Sequence, residues 1–193
     1  MDGNKALTSR SDLDQLASGV SISDIRSMCA HDKSTQTMEY LIRPAMPHDL
    51  DAMCALLPRL AEFELPHGRV PRHLWRGDEK VLKAWAAGND HSCLVHVAEG
   101  KEKKLLGVAM ARLRAEMLSG EPSAHLEVLM VAREAEGNGI GKALVAASEF
   151  TARVHGAKTM TLHTFRTNTR ARQMYEELGY DGEIIRYSKN LKE

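Results

Sequence analysis

The sequence predicts an α/β fold with a mixed central sheet and helices on both of its faces. Two observations support this prediction. Some candidate strands follow one another directly, as the strands of a hairpin do, and others are separated by a stretch with helical periodicity, as in a β-α-β unit. Antiparallel and parallel pairs then share one sheet. With 193 residues, 43% of them hydrophobic, the chain is long enough to bury one full core.

The first half of the pattern contains one strand and two helices. A short strand at residues 40–43 is stopped by Pro44. Asp49 then opens a helix, and a second helix follows a polar, proline-bearing stretch at residues 64–77. The apolar residues at helical spacing are Leu50, Met53, Cys54, Leu57 and Leu60 in the first helix and Val81, Leu82 and Trp85 in the second.

The second half alternates strands with helices after an initial hairpin. Strands are predicted at residues 93–98, 105–110, 124–131, 159–165 and 183–187. Helices are predicted at residues 140–155 and 169–178. The strand at 124–131 leads into its helix through a glycine-rich turn.

Composition excludes several classes of function. Lys plus Arg and Asp plus Glu both number 26, so the chain lacks the excess positive charge of most nucleic-acid-binding proteins. The 3 cysteines are far apart, which predicts neither a disulfide framework nor a zinc site. The sequence has no apolar run long enough for a membrane span and no signal-peptide pattern. We therefore expect a cytoplasmic protein without nucleic-acid or membrane partners.

Residues 1–37 differ in composition from the rest and are assigned to an N-terminal extension, with residues 38–193 as the domain. The extension is rich in Ser, Asp and Thr and poor in aromatic residues. A partly ordered extension, or a start codon placed too early, is the favoured interpretation; a substrate lid or a dimer arm is the alternative. The oligomeric state stays open, with a homodimer as one option.

A glycine-rich loop between a buried strand and a helix indicates a phosphate site. Gly137, Gly139 and Gly141 alternate, so several backbone N–H groups can converge at the positive end of the helix dipole. The Walker pattern fails at Glu136 and Ala143, and the dinucleotide fingerprint fails because its third glycine position holds Lys142.

A second motif follows one β-α unit later. It consists of Asn168, Ala171, Tyr175, Gly179 and Tyr180. Together, the glycine loop and this motif resemble the two signatures of the GNAT acetyltransferases, and the resemblance covers roughly residues 40 to 190.

The resemblance implies the GNAT fold and acetyl-CoA as co-substrate, bound between two strands that splay apart. Main-chain groups of Leu129, Met130 and Val131 are expected to bond the pantetheine and the acetyl carbonyl. The pyrophosphate is expected on the backbone of Gly137, Asn138, Gly139, Ile140, Gly141 and Lys142. Asn168 would bond the pantetheine or cap its helix, and the small Ala171 would let the cofactor pass close to that helix.

Two residues are catalytic candidates by the same resemblance. Glu127 matches a general-base position and would deprotonate an amine that attacks the thioester directly. Tyr175 would protonate the leaving thiolate or bond its sulfur. The alternative for Glu127 is a strand carboxylate that is solvated or paired with a neighbouring basic group. The alternative for Tyr175 is a tyrosine that closes the core.

Glu136 departs from the family pattern, which usually has Arg or Gln at the first position of the loop. A carboxylate beside a pyrophosphate is unfavourable, so weakened donor affinity is expected, with Arg133 offsetting part of the repulsion. His125 and His163 lie on adjacent predicted strands, but a pair without a third ligand is weak evidence for zinc, and no metal is expected.

The acceptor side is expected at residues 61–75, where Glu62 and Glu64 could attract a cationic amine. Solvated carboxylates at a helix end are the favoured alternative for these two residues. The favoured function is transfer of an acetyl group to a primary amine of a small molecule. Two alternatives stay open: a non-catalytic CoA-binding regulatory module and a protein-directed N-acetyltransferase. The second would need an open peptide groove, which residues 63–75 would obstruct.

Overall fold

The computed structural model describes residues 38–182, 184–187 and 189; the N-terminal extension at residues 1–37 lies outside them. The described strands form one sheet in the order β1-β2-β3-β4-β5. They are β1 (Leu41–Pro44), β2 (Cys93–Glu99), β3 (Leu105–Ala115), β4 (Pro122–Val131) and β5 (Thr159–Leu162). The first four pair antiparallel and β5 pairs parallel with β4, so the predicted mixed sheet is confirmed.

Four α-helices accompany the sheet in the described chain: α1 (Leu50–Leu56), α2 (Arg76–Ala86), α3 (Ile140–Val154) and α4 (Thr169–Glu177). The first is shorter than expected, because 3₁₀ turns at Pro47–Asp49 and Leu57–Ala61 flank it. Pro58 explains the second turn, since proline has no backbone N–H for the helical ladder. None of the described helices has the length and apolar composition of a membrane span.

The last predicted strand is wrong for residues 184–187, and β5 ends at Leu162 instead of residue 165. Ile184, Ile185 and Tyr187 have strong strand propensity but are exposed by 58%, 70% and 86%. Strand propensity reflects packing on a paired, half-buried surface. Without such a surface, the apolar pattern of this segment does not produce a strand.

The sheet separates two apolar clusters. One lies between the sheet and α3 and includes Leu106, Leu126 and Leu144. The other includes Met53 of α1 and Leu82 of α2. Helices therefore cover both faces. Gly107 permits the close approach of both β4 and α3, because a Cβ there would lie 2.8 Å from the Met130 carbonyl oxygen of β4 and 2.9 Å from Leu144 of α3.

A bulge interrupts the pairing of β3 with β4. Met110 pairs with Val128 and Ala111 with Leu126, so Glu127 has no partner residue on β3. In a regular strand, residues 126 and 128 would face the same side. Here Leu126 joins the α3 cluster and Val128 the opposite one. The extra residue therefore changes the facing of the strand at Glu127.

Candidate active site

The parallel strands β4 and β5 separate beside the bulge. Their pairing runs from Ser123 with Thr159 to Leu126 with Leu162, and β4 continues to Val131. Residues 127–131 therefore have an edge that β5 does not cover. Such an edge carries unpaired backbone N–H and C=O groups, to which an extended ligand can bond as an added strand.

The register identifies which backbone groups face this edge. Val131 lies opposite Gly107, and Ala132 N–H donates to Leu106 O at 2.7 Å. This bond makes Val131 and Gly107 a non-hydrogen-bonded pair, so the backbone groups of Val131 point away from β3. Leu129, two residues earlier, points the same way. The backbone groups of Met130 point towards β3.

The glycine loop follows the end of this edge. Gly137 and Gly139 have φ angles of 78° and 77°, which L side chains rarely adopt. The Asn138 side chain donates to the carbonyl oxygens of Ala135 and Glu136, both at 3.1 Å. Gly139 is the N-cap of α3 and supplies no side-chain cap. The first N–H groups of this 15-residue helix are thus available to an anion.

The second motif lies on α4. Asn168 is its N-cap, and the side-chain oxygen accepts a hydrogen bond from Ala171 N–H at 3.2 Å. Of its two expected roles, Asn168 takes the capping one here. Tyr175 is half-buried, and its ring packs edge-on against Tyr180 with centroids 5.7 Å apart. Burial raises the pKa of Tyr175 to about 12. The phenol therefore stays protonated over the physiological range.

Glu127 lies in a group of charged residues that the sequence pattern did not identify. Its Oε1 is 3.7 Å from Nε of Arg112, whose Nη2 donates to Asp90 at 3.1 Å. Asp78, in the first turn of α2, is half-buried close to both Glu127 and Arg112. Burial, and secondarily the charge of Glu127, raise the pKa of Asp78 to about 6. The carboxylates of Asp78 and Glu127 thus lie near the guanidinium of Arg112, which already donates a hydrogen bond to Asp90.

Glu136 does not stand alone at the loop. Its carboxylate accepts from Arg59 through one oxygen and from Arg170 through the other. Chiefly because Arg170 donates to it, the pKa of Glu136 lies below its usual value. Arg133, expected to offset this charge, donates to Glu62 at 2.5 Å and interacts with Glu136 only through its charge. The direct partners of Glu136 are therefore Arg59 and Arg170.

The expected acceptor segment contacts the far side of the strand gap. Glu62 is paired with Arg59 and Arg133, so its charge is already compensated. The ring of Phe63 lies 5.4 Å from that of Phe165, between centroids. Phe63 follows a 3₁₀ turn that packs on β4, and Phe165 follows β5. This contact joins the segments on the two sides of the gap.

The two strand histidines form a local contact. Their rings lie 4.6 Å apart, and His125 Nδ1 is 2.7 Å from Thr161 Oγ1. Burial is the main reason that the pKa of His125 falls to about 4. Within the described residues, no group of three or more His, Cys, Asp or Glu side chains could hold a metal ion.

The mixed five-stranded sheet with its helices has the fold of an acetyltransferase domain. The model of the acetyltransferase (GNAT) family matches residues 51–180, and the chain belongs to that family. No curated protein matches the sequence.

Solved structures with the same fold are distant in sequence. An aminoglycoside 6'-N-acetyltransferase from Acinetobacter baumannii is 19% identical, with a TM-score of 0.60, over 80% of this chain and 100% of that chain. A ribosomal-protein-alanine N-acetyltransferase from Brucella melitensis is 18% identical, with a TM-score of 0.59, over 80% and 100%. A transcriptional regulator from Bacillus halodurans is 21% identical, with a TM-score of 0.60, over 79% and 100%. The fold is common to all three, while their named functions differ.

Proposed function

We propose that the protein is an acetyl-CoA-dependent N-acetyltransferase that acetylates a primary amine of a small molecule by direct attack. The observation that carries this proposal is the parting of β4 and β5 after Leu126 and Leu162, beside a glycine loop that opens α3. The open edge of β4 suits the amide-containing chain of an extended ligand, and the N-terminus of α3, which follows it along the chain, suits the phosphates of the same ligand.

The donor is assigned to these two features. Leu129 and Val131 would bond the pantetheine chain through their outward backbone groups. Met130, whose backbone groups point to β3, supports the edge without such a bond. Backbone N–H groups from Gly137 to Lys142 would hold the pyrophosphate. Ala171, half-buried in the first turn of α4, leaves room beside the capped helix end.

Glu127 and Tyr175 are assigned to proton transfer. Glu127 would take a proton from the amine, directly or through one water, as the nitrogen attacks the thioester carbonyl carbon. Tyr175 would donate its phenolic proton to the sulfur as the C–S bond breaks. Within the described chain the Glu127 carboxylate accepts no hydrogen bond and has only the long contact with Arg112, so it is free to receive a proton.

Asp78 and Glu127 favour a cationic acceptor, since their two negative charges exceed the single compensating charge of Arg112. The contact of Phe63 with Phe165 favours a small acceptor over a peptide, because it joins the walls of the gap. The acceptor charge is thus assigned to Asp78 and not to Glu62.

A panel of small amines and peptides, incubated with acetyl-CoA and read as release of the CoA thiol, tests the proposal. Thiol release with small polar amines supports it. Release with peptides alone would assign the protein to the protein-directed class. Donor binding without turnover on any acceptor would make it a non-catalytic CoA-binding module.

A further inference from the structure

Five charged side chains line a cavity of about 240 Å³ at the glycine loop: Arg59, Glu62, Arg133, Glu136 and Arg170. They come from the 3₁₀ turn after α1, from the segment between β4 and α3, and from α4. Three guanidinium groups and two carboxylates leave this cavity with a net charge of +1. The five residues lie in three segments that are far apart in the sequence and adjacent in the folded chain.

Both carboxylates are held between two arginines. Glu136 accepts from Arg59 and Arg170, and Glu62 accepts from Arg59 and Arg133. The side chain of Arg59 is only 17% exposed, and its Nε also donates to Val131 O at 3.1 Å. Arg59 therefore contacts the open strand edge and the first residue of the glycine loop at the same time.

A carboxylate bridged by two guanidinium groups resembles a phosphate held by the same pair. Arginine binds both carboxylate and phosphate through bidentate, charge-assisted hydrogen bonds. Glu136 lies directly before the loop whose N–H groups are available to an anion. Its carboxylate therefore occupies the position where the arginines would meet a phosphate. Without a carboxylate between them, Arg59 and Arg170 would repel each other in the free protein.

We propose, on the basis of the proposed function, that Arg59 and Arg170 bind the donor pyrophosphate and that Glu136 is their internal counter-ion in the free protein. When the donor binds, the diphosphate replaces the Glu136 carboxylate between the two arginines. The same movement withdraws Arg59 from the Val131 carbonyl oxygen, which frees that group for the pantetheine chain. Arg59 thus couples the two halves of the donor site.

The test compares acetyl-CoA with acetyl-pantetheine, which lacks the pyrophosphate, by titration calorimetry on the full chain at low and high salt. Glu136→Gln should tighten acetyl-CoA binding by about threefold to tenfold at low salt, and less at high salt. Arg170→Gln should weaken it by about tenfold. Arg170→Gln should leave the affinity for acetyl-pantetheine unchanged, because that ligand lacks the pyrophosphate.

Two matched variants control for charge alone. Glu134→Gln removes a carboxylate from the same segment, but that carboxylate pairs with Lys104. Arg172→Gln removes a guanidinium from α4 that pairs with Glu176. Both should bind acetyl-CoA as the wild-type protein does. In addition, Arg170→Gln should reduce acetyl-CoA affinity by a larger factor in the Glu136→Gln protein than in the wild-type protein. In that background Arg170 no longer pairs with Glu136 and interacts with the phosphates alone.

Two outcomes overturn different claims. If the wild-type protein binds acetyl-CoA but Glu136→Gln and Arg170→Gln leave the affinity unchanged, the cluster is a purely structural ion-pair network and this inference is wrong. If the wild-type protein binds no acetyl-CoA, the proposed function fails, and the inference fails with it.

Discussion

Nε of Arg112 lies 3.7 Å from Oε1 of Glu127, beyond hydrogen-bond distance, at the bulge where β4 changes its facing. The guanidinium donates instead to Asp90. A direct hydrogen bond would hold a proton-accepting carboxylate in its ionised, occupied state. The longer contact leaves the carboxylate oxygens of Glu127 available to another hydrogen-bond donor. This geometry is why we assign proton transfer to Glu127.

Glu127→Gln should lower kcat by about 100-fold, because the amide cannot accept the amine proton. The loss should be greatest at low pH, where less of the amine is already deprotonated. Binding of acetyl-CoA should not change. Glu121→Gln, which removes an exposed carboxylate just before β4, is the control. Wild-type rates in Glu127→Gln would reduce Glu127 to a structural residue of the bulge.

Asp78→Asn should remove a pH dependence from acceptor binding. Burial raises the pKa of Asp78 to about 6, so the group is neutral below that pH and negative above it. Ionisation adds a negative charge beside Glu127, and KM for a cationic amine should fall as the pH rises through 6. In Asp78→Asn this inflection should be absent. Glu79→Gln, one residue further and paired with Lys83, should retain it.

Tyr175→Phe and Tyr180→Phe should separate catalysis from stability. Loss of the Tyr175 hydroxyl should slow acetyl transfer by about 100-fold while leaving the fold intact, since the ring still packs on Tyr180. Tyr180 donates its hydroxyl to Glu149 at 2.8 Å, so Tyr180→Phe should lower Tm and retain activity. Equal rates in the two variants would contradict the role of Tyr175 as the acid.

Acetyl-CoA should raise the Tm of the wild-type protein, and Gly139→Asp should abolish that rise. A ligand that binds only the folded state stabilises it, and this change adds bulk and negative charge at the N-cap of α3. Gly120 offers a matched control, because its φ of 69° imposes similar strain in the turn between β3 and β4. Gly120→Asp should lower Tm but keep the ligand-induced shift.

The glycine loop and the α4 motif could be predicted because their local conformation demands particular residue types at fixed spacing. Gly137 and Gly139 adopt positive φ, and Asn168 caps its helix, so each choice is local. The contact between Arg59 and Glu136 spans 77 residues and depends on how the turn after α1 packs against β4. No local pattern encodes such a contact.

The burial of Asp78 has a signal in the sequence, namely its spacing from apolar residues of α2. Asp78 lies four residues before Leu82 and seven before Trp85, on the apolar stripe of α2. A carboxylate on such a stripe is half-buried by the same packing that buries the leucine. The position of Glu127 at a bulge could not be predicted in this way. It depends on how β3 and β4 are aligned, which the sequence of β4 alone does not determine.

His96 should make stability depend on pH. It is buried in β2, with Nε2 3.0 Å from Thr151 Oγ1, and burial lowers its pKa from 6.5 to about 4. Between these two values the unfolded chain binds a proton that the folded chain does not. The contribution of His96 to the free energy of unfolding is therefore complete above pH 6.5. It is lost as the pH drops towards 4 and amounts to about 3 kcal/mol in all.

A single substitution isolates this contribution from the other titrating groups. His125 changes stability in the same direction and Asp78 in the opposite one, so the wild-type curve alone does not assign the slope. His96→Gln keeps a polar group near Thr151 but does not titrate. Urea unfolding at a series of pH values should show the wild-type advantage over His96→Gln shrinking from pH 6.5 to 4. His91→Gln, at an exposed position, should run parallel to the wild-type protein. A constant difference between wild type and His96→Gln across that range would mean that burial does not lower the pKa of His96 in the folded chain.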